Sequence, residues 1–209
     1  MSFSAHARSE HLRAIQEESF DLLIIGGGIT GAGIALDAAT RGLKTVLIER
    51  NDFAFGTSSR STKLIHGGLR YLKQLEFALV KEVGSERAIV HNLVPHLVVP
   101  EKMLLPLYER RGLGYWLASV GLMIYDWLAG VKPEDQRRML TKPQTLRHEP
   151  LLKADDIKGG ALYAEYRTDD ARLTIEIAKE AHAKGALLIN YLAVTDFRYE
   201  NDQVQGVKV

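Results

Sequence analysis

Three glycines at a fixed spacing form the first chemical signal in the chain. Gly26, Gly28 and Gly31 lie between a short apolar run and a helical pattern. In such a motif the first glycine allows a tight turn off a strand, and the second lets a pyrophosphate approach the backbone. The third lets the helix pack close to the strand. Because the first amide groups of a helix attract anions, the pattern predicts a nucleotide-binding turn.

Glu49 completes this pattern. It follows Gly31 after the seventeen residues 32–48, at the end of a second apolar run. A carboxylate at that place can accept hydrogen bonds from the hydroxyls of an adenosine ribose, and it repels a 2′-phosphate. NADP is therefore disfavoured, whereas the motif by itself leaves both FAD and NAD open.

The elements around the motif predict an α/β fold. Residues 21–26 and 45–49 each form a short apolar run, which is typical of a buried parallel strand. Residues 34–39 carry alanine and isoleucine at helical spacing, and Gly42 marks the end of that helix. Together they predict a βαβ unit with a right-handed crossover and a parallel sheet.

A second cluster, residues 56–71, is dense in glycine, hydroxyl and basic side chains. An NAD dehydrogenase has no evident use for such a cluster directly after its ribose-binding strand. A flavoenzyme does, because FAD is long and runs back across the sheet. Two consecutive glycines, Gly67 and Gly68, would also let the backbone approach a flat ring closely. This cluster favours FAD.

These residues closely resemble the family of FAD-dependent glycerol-3-phosphate dehydrogenases. The resemblance runs from about residue 20 to the C-terminus. It is carried by the segments 25–37, Arg41-Gly42, 57–59, 63–71, Pro95-His96-Leu97 and 169–173.

The resemblance implies an activity and its partners. Glycerol 3-phosphate would lose a hydride from C2 to the flavin, giving dihydroxyacetone phosphate. The electrons would pass to a membrane quinone, or to oxygen in oxidase members. Peripheral attachment to the inner face of the membrane, in an otherwise cytoplasmic protein, is also implied by the resemblance alone.

The resemblance also assigns roles to residues. His66 and Arg70 would be catalytic, and Arg70 and Tyr71 would bind the substrate, since a guanidinium forms bidentate hydrogen bonds to phosphate. The expected cofactor contacts are Gly26, Gly27, Gly28, Ile29, Thr30, Gly31, Glu49, Arg50, Thr57, Ser58, Ser59, Lys63, His66, Gly67 and Gly68.

Several of these residues have a structural alternative. His66 could be a hydrogen-bonded structural histidine, and Arg70 could pair with a neighbouring carboxylate. Asp169 and Asp170 are more typical of helix capping than of catalysis. We expect no metal site, since His91 and His96 have no carboxylate or cysteine partner nearby in the sequence. The aromatic stretch 115–127 is compatible with a membrane-facing surface, although burial is the stronger expectation.

Composition excludes several other classes of protein. The formal net charge of +1 argues against a nucleic-acid binder, and the absence of cysteine excludes disulfides and thiolate metal sites. No apolar run reaches the roughly 18 residues of a membrane-spanning helix. The first twenty residues lack the apolar core of a secretory signal.

The predicted domain organisation is discontinuous. Residues 1–19 form an N-terminal arm with a short surface helix, and residues 20–95 and 169–209 form an incomplete Rossmann-like FAD-binding domain. Residues 96–168 form part of an α+β substrate domain, within which we expect a helix over 114–129, a polar connection over 132–149 and a strand over 160–166. A helix from 169 to 184 and a final strand and hairpin complete the chain.

The chain is short for the family it resembles, which predicts that it is part of a longer enzyme. Two alternatives stay open. One is another flavin oxidase of the same fold that acts on amines or hydroxy acids. The other is a non-catalytic fragment with weak nucleotide binding at most. The oligomeric state is not predicted.

Overall fold

The computed structural model describes residues 3–66, 71, 74, 76–109, 115–128, 131 and 133–209. The chain divides into two compact units, which are described separately. The first unit contains residues 1–62 and 169–209, and the second contains residues 63–168. Residues 63–95, which the sequence analysis placed with the cofactor domain, fall in the second unit.

The helices and strands are numbered here in chain order. They are α1 (Arg8–Glu17), β1 (Leu22–Ile25), α2 (Ile29–Thr40), β2 (Thr45–Ile48), α3 (Thr57–Arg60), β3 (Leu64–Ile65), α4 (Phe77–Leu93), β4 (Val98–Tyr108), α5 (Tyr115–Leu128), β5 (Arg138–Thr141), α6 (Lys142–His148), β6 (Ile157–Thr168), α7 (Asp170–Ala183), β7 (Leu187–Ile189), β8 (Asp196–Glu200) and β9 (Gln203–Lys208).

A parallel three-stranded sheet lies at the centre of the first unit. Its strand order is β1-β2-β7, with Ile25 opposite Ile48 and Ile48 opposite Ile189. The crossover from β1 to β2 passes through α2, which confirms the predicted βαβ unit and the α/β fold class. The carboxyl ends of β1 and β2 therefore lie side by side, which is where an open α/β sheet binds its ligands.

Small side chains let the helices approach this sheet closely. Ala32, Ala35 and Ala39 of α2 are buried with Leu47 of β2, and α7 contributes Ala178 to the same core cluster. This face of the sheet is thus covered by two helices that present mainly methyl groups.

The N-terminal helix differs from the expected surface arm. Ala14 is buried together with Val46, Ile48 and Leu187 of the sheet, and the partly buried Ile15 packs against them. These strands carry apolar residues on both faces, since a parallel sheet is buried on both sides. Helix α1 covers the face opposite to α2.

The end of the first unit follows the prediction. Helix α7 begins after Asp169, whose carboxylate accepts a hydrogen bond from the Arg172 amide at 3.0 Å, so the expected capping role is confirmed. Gly185 adopts φ +102 after the helix. The hairpin β8–β9 then turns at Asn201 and Asp202, which have φ 51 and 61.

The second unit is organised around the long strand β6. Strand β4 pairs with it antiparallel along its whole length, from Val98 opposite Thr168 to Tyr108 opposite Ile157. Strands β3 and β5 also pair with β6. The expected strand over 160–166 is confirmed and is longer than predicted. The two prolines of β4 are compatible with its position at the end of the described sheet.

The expected polar connection over 132–149 is wrong. Strand β5 and helix α6 lie there, and a capping box between Thr141 and Gln144 begins the helix. A hydroxyl residue followed three positions later by glutamine is a known helix start signal, so the sequence did contain this information. The helix predicted over 114–129 is present as α5.

In the described part of the chain, every helix is too short or too polar to cross a membrane.

Candidate functional site

The glycine motif forms the turn between β1 and α2. Gly26 has φ +113, a conformation that side-chain-bearing residues rarely adopt, and its amide donates to the Ile48 carbonyl oxygen at 2.8 Å. A methyl group on Gly31 would overlap the carbonyl oxygen of Gly26. Two of the three predicted glycine requirements therefore have a direct geometric cause.

Gly27 is required for a reason that the motif does not predict. A methyl group there would lie 2.8 Å from Cδ1 of Phe53 and 2.9 Å from Cβ of Glu49. The loop after β2 thus packs directly onto the glycine turn, and the Ala54 amide donates to the Gly27 carbonyl oxygen at 2.9 Å. The turn and the loop support each other.

Glu49 lies at the end of β2, as predicted. Its Oε2 accepts a hydrogen bond from the Gly27 amide at 2.7 Å, and its Oε1 accepts one from the Asn51 amide at 2.7 Å. The carboxylate is therefore fixed between the glycine turn and its own loop. Charge-assisted bonds of this kind are about twice as strong as neutral ones, so the orientation of Glu49 is well determined.

The hydroxyl cluster of α3 reaches the start of α2. Ser58 is buried, and its Oγ accepts a hydrogen bond from the Ile29 amide at 3.0 Å. Since Gly28 at the helix N-cap has no side chain, Ser58 supplies a capping oxygen from a distant part of the sequence. Ser59 donates to the Ala54 carbonyl oxygen at 2.6 Å and so ties α3 to the preceding loop.

An open groove of about 570 Å³ lies over the glycine turn. Its volume falls in the range of small-molecule sites. Its lining combines apolar side chains with glycine backbone and hydroxyl groups. The lining residues are Ile24, Ile25, Gly26, Gly28, Ile29, Thr30, Gly31, Ile34, Thr57, Ser58, Ser61, Asp170 and Leu173.

This arrangement fits a dinucleotide cofactor. The groove brings together seven of the expected contact residues with the N-terminus of α2, where partial positive charge favours a pyrophosphate. The space that a side chain on Gly31 would need is taken by backbone, so the close approach required by the motif is built into the turn. Asp170, which lines the groove, also accepts a hydrogen bond from the Ser61 hydroxyl.

The remaining expected contacts lie elsewhere. Gly27, Glu49 and Ser59 are in the first unit but do not line this groove, and Arg50 is exposed. Lys63 and His66 belong to the second unit. Gly67, Gly68 and Arg70 lie outside the described residues.

The second unit contains a buried ionic cluster that the sequence did not indicate. Arg87 and Glu165 are each 2% exposed, and Nη1 of Arg87 lies 3.4 Å from Oε2 of Glu165. The same nitrogen donates to the Tyr125 hydroxyl at 2.8 Å, and the guanidinium stacks over the Tyr166 ring at 4.6 Å. Burial raises the pKa of Tyr125 above its ordinary value.

His66 lies at the edge of this cluster. Its Nδ1 is 3.9 Å from Oε1 of Glu165, while its side chain is 63% exposed. Tyr71, the expected substrate neighbour, is 38% exposed. Nδ1 of His91 lies 2.7 Å from the Val98 carbonyl oxygen. Among the described residues, no group of three or more potential ligands could hold a metal ion.

Several curated proteins are similar to this chain in sequence. Aerobic glycerol-3-phosphate dehydrogenase of Staphylococcus aureus (strain USA300) is 55% identical over 210 aligned residues, which cover 100% of this chain and 38% of that protein. The protein of the same name from Staphylococcus saprophyticus is 53% identical with the same coverage. The chain thus spans well under half the length of these curated relatives.

Solved structures show the same fold. The glycerol-3-phosphate dehydrogenase of Bacillus halodurans, complexed with FAD, aligns with a TM-score of 0.74 and 46% identity over 99% of this chain and 33% of that chain. The L-α-glycerophosphate oxidase of Mycoplasma pneumoniae, with FAD bound, aligns with a TM-score of 0.67 over 88% of this chain and 48% of that chain. At 20% identity the latter supports the fold alone.

A family model for FAD-dependent oxidoreductases, named DAO, matches residues 21–209. The match covers nearly the whole chain, including the glycine turn and the groove above it. The chain therefore belongs to the DAO family of FAD-dependent oxidoreductases.

Proposed function

We propose that the first unit binds FAD and that the protein oxidises glycerol 3-phosphate to dihydroxyacetone phosphate. The observation that carries this proposal is the identity of 55% along the whole chain with an aerobic glycerol-3-phosphate dehydrogenase. The groove over the glycine turn supports it, because the turn is built for a pyrophosphate.

The roles of the individual residues follow from their chemistry. The backbone of Gly26, Gly28 and Gly31, with the start of α2, holds the pyrophosphate. Glu49 accepts hydrogen bonds from the adenosine ribose, and its charge excludes a 2′-phosphate. Arg50, Thr57, Ser58, Ser59 and Lys63 are proposed to contact the cofactor along its length.

Bound FAD supplies a two-electron acceptor for the hydride from C2 of the substrate. His66, Gly67 and Gly68 are proposed to lie near the flavin ring. Arg70 holds the substrate phosphate, with Tyr71 beside it. His66 is exposed and can therefore exchange a proton with the substrate hydroxyl, which must lose one as the ketone forms.

The first experiment is a visible absorption spectrum of the purified chain after addition of FAD. It is then repeated anaerobically with glycerol 3-phosphate, with sarcosine and with lactate. We expect a protein-bound flavin band that is bleached by glycerol 3-phosphate alone. Bleaching by sarcosine or lactate would instead support an amine or hydroxy-acid oxidase. A bound flavin that no substrate bleaches would contradict catalysis by this chain, and no bound flavin would contradict the proposal for the first unit.

A matched pair of variants tests the substrate site. Arg70→Gln should weaken reduction by glycerol 3-phosphate by about 10- to 100-fold, since a hydrogen bond to a charged group is lost. It should leave FAD binding unchanged. Arg167→Gln is the control, because Arg167 pairs with Glu101 on the exposed surface of the same unit. Equal effects of the two substitutions would contradict the role of Arg70.

We further propose that electrons pass to a quinone and that the protein contacts the membrane peripherally. Helix α5 supports the membrane contact, since Trp116 and Trp127 are 81% and 80% exposed and Met123 lies exposed between them. Tryptophan favours the membrane interface. Co-sedimentation with anionic phospholipid vesicles tests the contact. We expect Trp116→Gln with Trp127→Gln to reduce binding, and unchanged sedimentation would exclude α5 as the contact.

A further inference from the structure

Arg8 connects the N-terminal helix to a turn at the end of β7. Its Nη1 donates to the Asn190 carbonyl oxygen at 2.7 Å and lies 3.4 Å from the Asn190 side-chain oxygen. Its Nη2 donates to the Tyr191 carbonyl oxygen at 3.1 Å. One guanidinium thus holds two consecutive carbonyl groups. The turn needs such support, because Tyr191 adopts φ 49, which is unfavourable for a residue with a side chain.

The same turn holds the loop that follows β2. The Tyr191 amide donates to the Asn51 carbonyl oxygen at 2.8 Å, and the Leu192 amide donates to the Glu49 carbonyl oxygen at 2.9 Å. Nδ2 of Asn190 donates to Oδ1 of Asp52 at 2.8 Å. Three hydrogen bonds therefore hold residues 49–52 in a fixed position relative to the turn.

This loop carries the carboxylate of the glycine motif. Both oxygens of Glu49 accept amide hydrogen bonds at 2.7 Å, one from Gly27 and one from Asn51. A second contact from the N-terminus reaches the same loop, because the Phe3 ring stacks on Phe53 with centroids 6.0 Å apart. The N-terminal segment thus contacts the loop both directly and through the turn.

We propose that Arg8 is a positioning residue for Glu49, and that the N-terminal helix pre-orders the adenosine end of the cofactor site. This inference rests on the proposed binding of FAD by the first unit. Helix α1 lies before the region that the family model matches, residues 21–209, so the positioning element lies outside the matched region. Preorganisation raises affinity because the loop need not be ordered when the ligand binds.

Hydrogen exchange of the cofactor-free chain tests the positioning without reference to FAD. In Arg8→Gln we expect the amides of Tyr191, Leu192 and Asn51 to exchange about tenfold faster, as expected for loss of a charged hydrogen bond. The control is Arg13→Gln on the same helix, since Arg13 forms an exposed ion pair with Glu17 at 3.9 Å. Exchange at these amides that is the same in both variants would overturn the proposal.

Affinity for FAD tests whether Arg8 acts through Glu49. In a double-mutant cycle, Arg8→Gln should raise the FAD dissociation constant by about 3- to 10-fold in the wild-type background and leave it unchanged in a Glu49→Gln background. A merely structural role would give the same factor in both backgrounds and would overturn the proposal.

The two proposals fail in different ways. If the wild-type chain does not bind FAD, the proposed function of the first unit is wrong, and faster exchange in Arg8→Gln still supports the positioning of residues 49–52. If FAD binds and the cycle shows additive effects, the proposed function stands and the role of Arg8 is wrong. Melting curves of all variants exclude a global loss of structure as the cause.

Discussion

The surrounding backbone leaves no room for a side chain at Gly31. The position of its missing side chain is occupied by the Gly26 carbonyl oxygen, so even a methyl group forces the helix away from the strand. Gly33, two residues later on the same helix, has nothing within 4 Å of the equivalent position. The two glycines therefore differ in function although both lie in α2.

This difference predicts opposite effects of the same substitution. Gly31→Ala should lower the free energy of unfolding by about 1–3 kcal/mol, because it overpacks the turn. Gly33→Ala should raise it by about 0.5–1 kcal/mol, since alanine loses less backbone entropy in a helix. Urea denaturation followed by circular dichroism measures both. Equal stability of the two variants would show that the turn relaxes freely.

Arg87 and Glu165 illustrate a different kind of residue. Both are almost fully buried, and each has a charged partner at hand. The ion pair itself contributes little to the free energy of unfolding, since the cost of desolvating the two charges offsets their attraction. Removal of one partner leaves the other charge buried and uncompensated.

We therefore expect Glu165→Gln to lower the free energy of unfolding by about 3–5 kcal/mol. The control Glu101→Gln removes one partner of an exposed pair with Arg167, and it should cost at most about 1 kcal/mol. Denaturant titration followed by circular dichroism measures both variants. A small effect of Glu165→Gln would indicate that Arg87 finds another partner.

At the scale of the element, α1 carries a buried histidine. His11 is 4% exposed, and its Nε2 has no hydrogen-bond partner among the residues that the structure describes. Its ring lies 5.9 Å from that of His182 on α7. Burial, followed by the charge of His182, lowers the pKa of His11 below its ordinary value of 6.5.

The sign of the resulting pH dependence follows from linkage. Below about pH 6.5 the unfolded chain binds a proton at His11 more readily than the folded chain, so acid weakens the docking of α1. We expect thermal stability to fall between pH 7 and pH 5, and His11→Gln to reduce this slope. His6→Gln is the control, since His6 is exposed. An identical slope in wild type and His11→Gln would assign the pH dependence to other groups.

The chain crosses between the two units twice, near residues 62 and 169. The cofactor groove is formed entirely by residues of the first unit. Those residues come from both sides of the second unit in the sequence, because Asp170 and Leu173 line the groove together with residues from 24–61. The groove can therefore form only once these two segments, which the second unit separates in the sequence, have come together.

Binding of a ligand to the folded chain alone raises its free energy of unfolding. FAD at about a hundred times its dissociation constant should stabilise the folded state by about 2.7 kcal/mol, since it binds only that state. Riboflavin, which lacks the pyrophosphate and the adenosine, should have little effect. Thermal unfolding followed by circular dichroism compares the two. Equal stabilisation by riboflavin would show that the glycine turn does not contribute to binding.

Local sequence patterns account for the nucleotide-binding turn and for the elements beside it. The glycine spacing, the apolar runs beside it and the position of Glu49 predict the βαβ unit, because each depends on neighbours within about 30 residues. The helix after Asp169 and the turn at Asn201 follow from capping and turn preferences of the same local kind.

Contacts between residues far apart in the sequence became visible only in the folded structure. Ser58 caps α2 across 29 positions of sequence, Arg8 holds a turn 182 positions away, and Arg87 meets Glu165 across 78 positions. Nothing in the local pattern around Arg8 and Arg87 distinguishes them from ordinary polar side chains, and the cluster around Ser58 indicated cofactor contact, not helix capping. Their roles arise because the fold brings buried charge and unpaired backbone groups together, and each of these needs a partner.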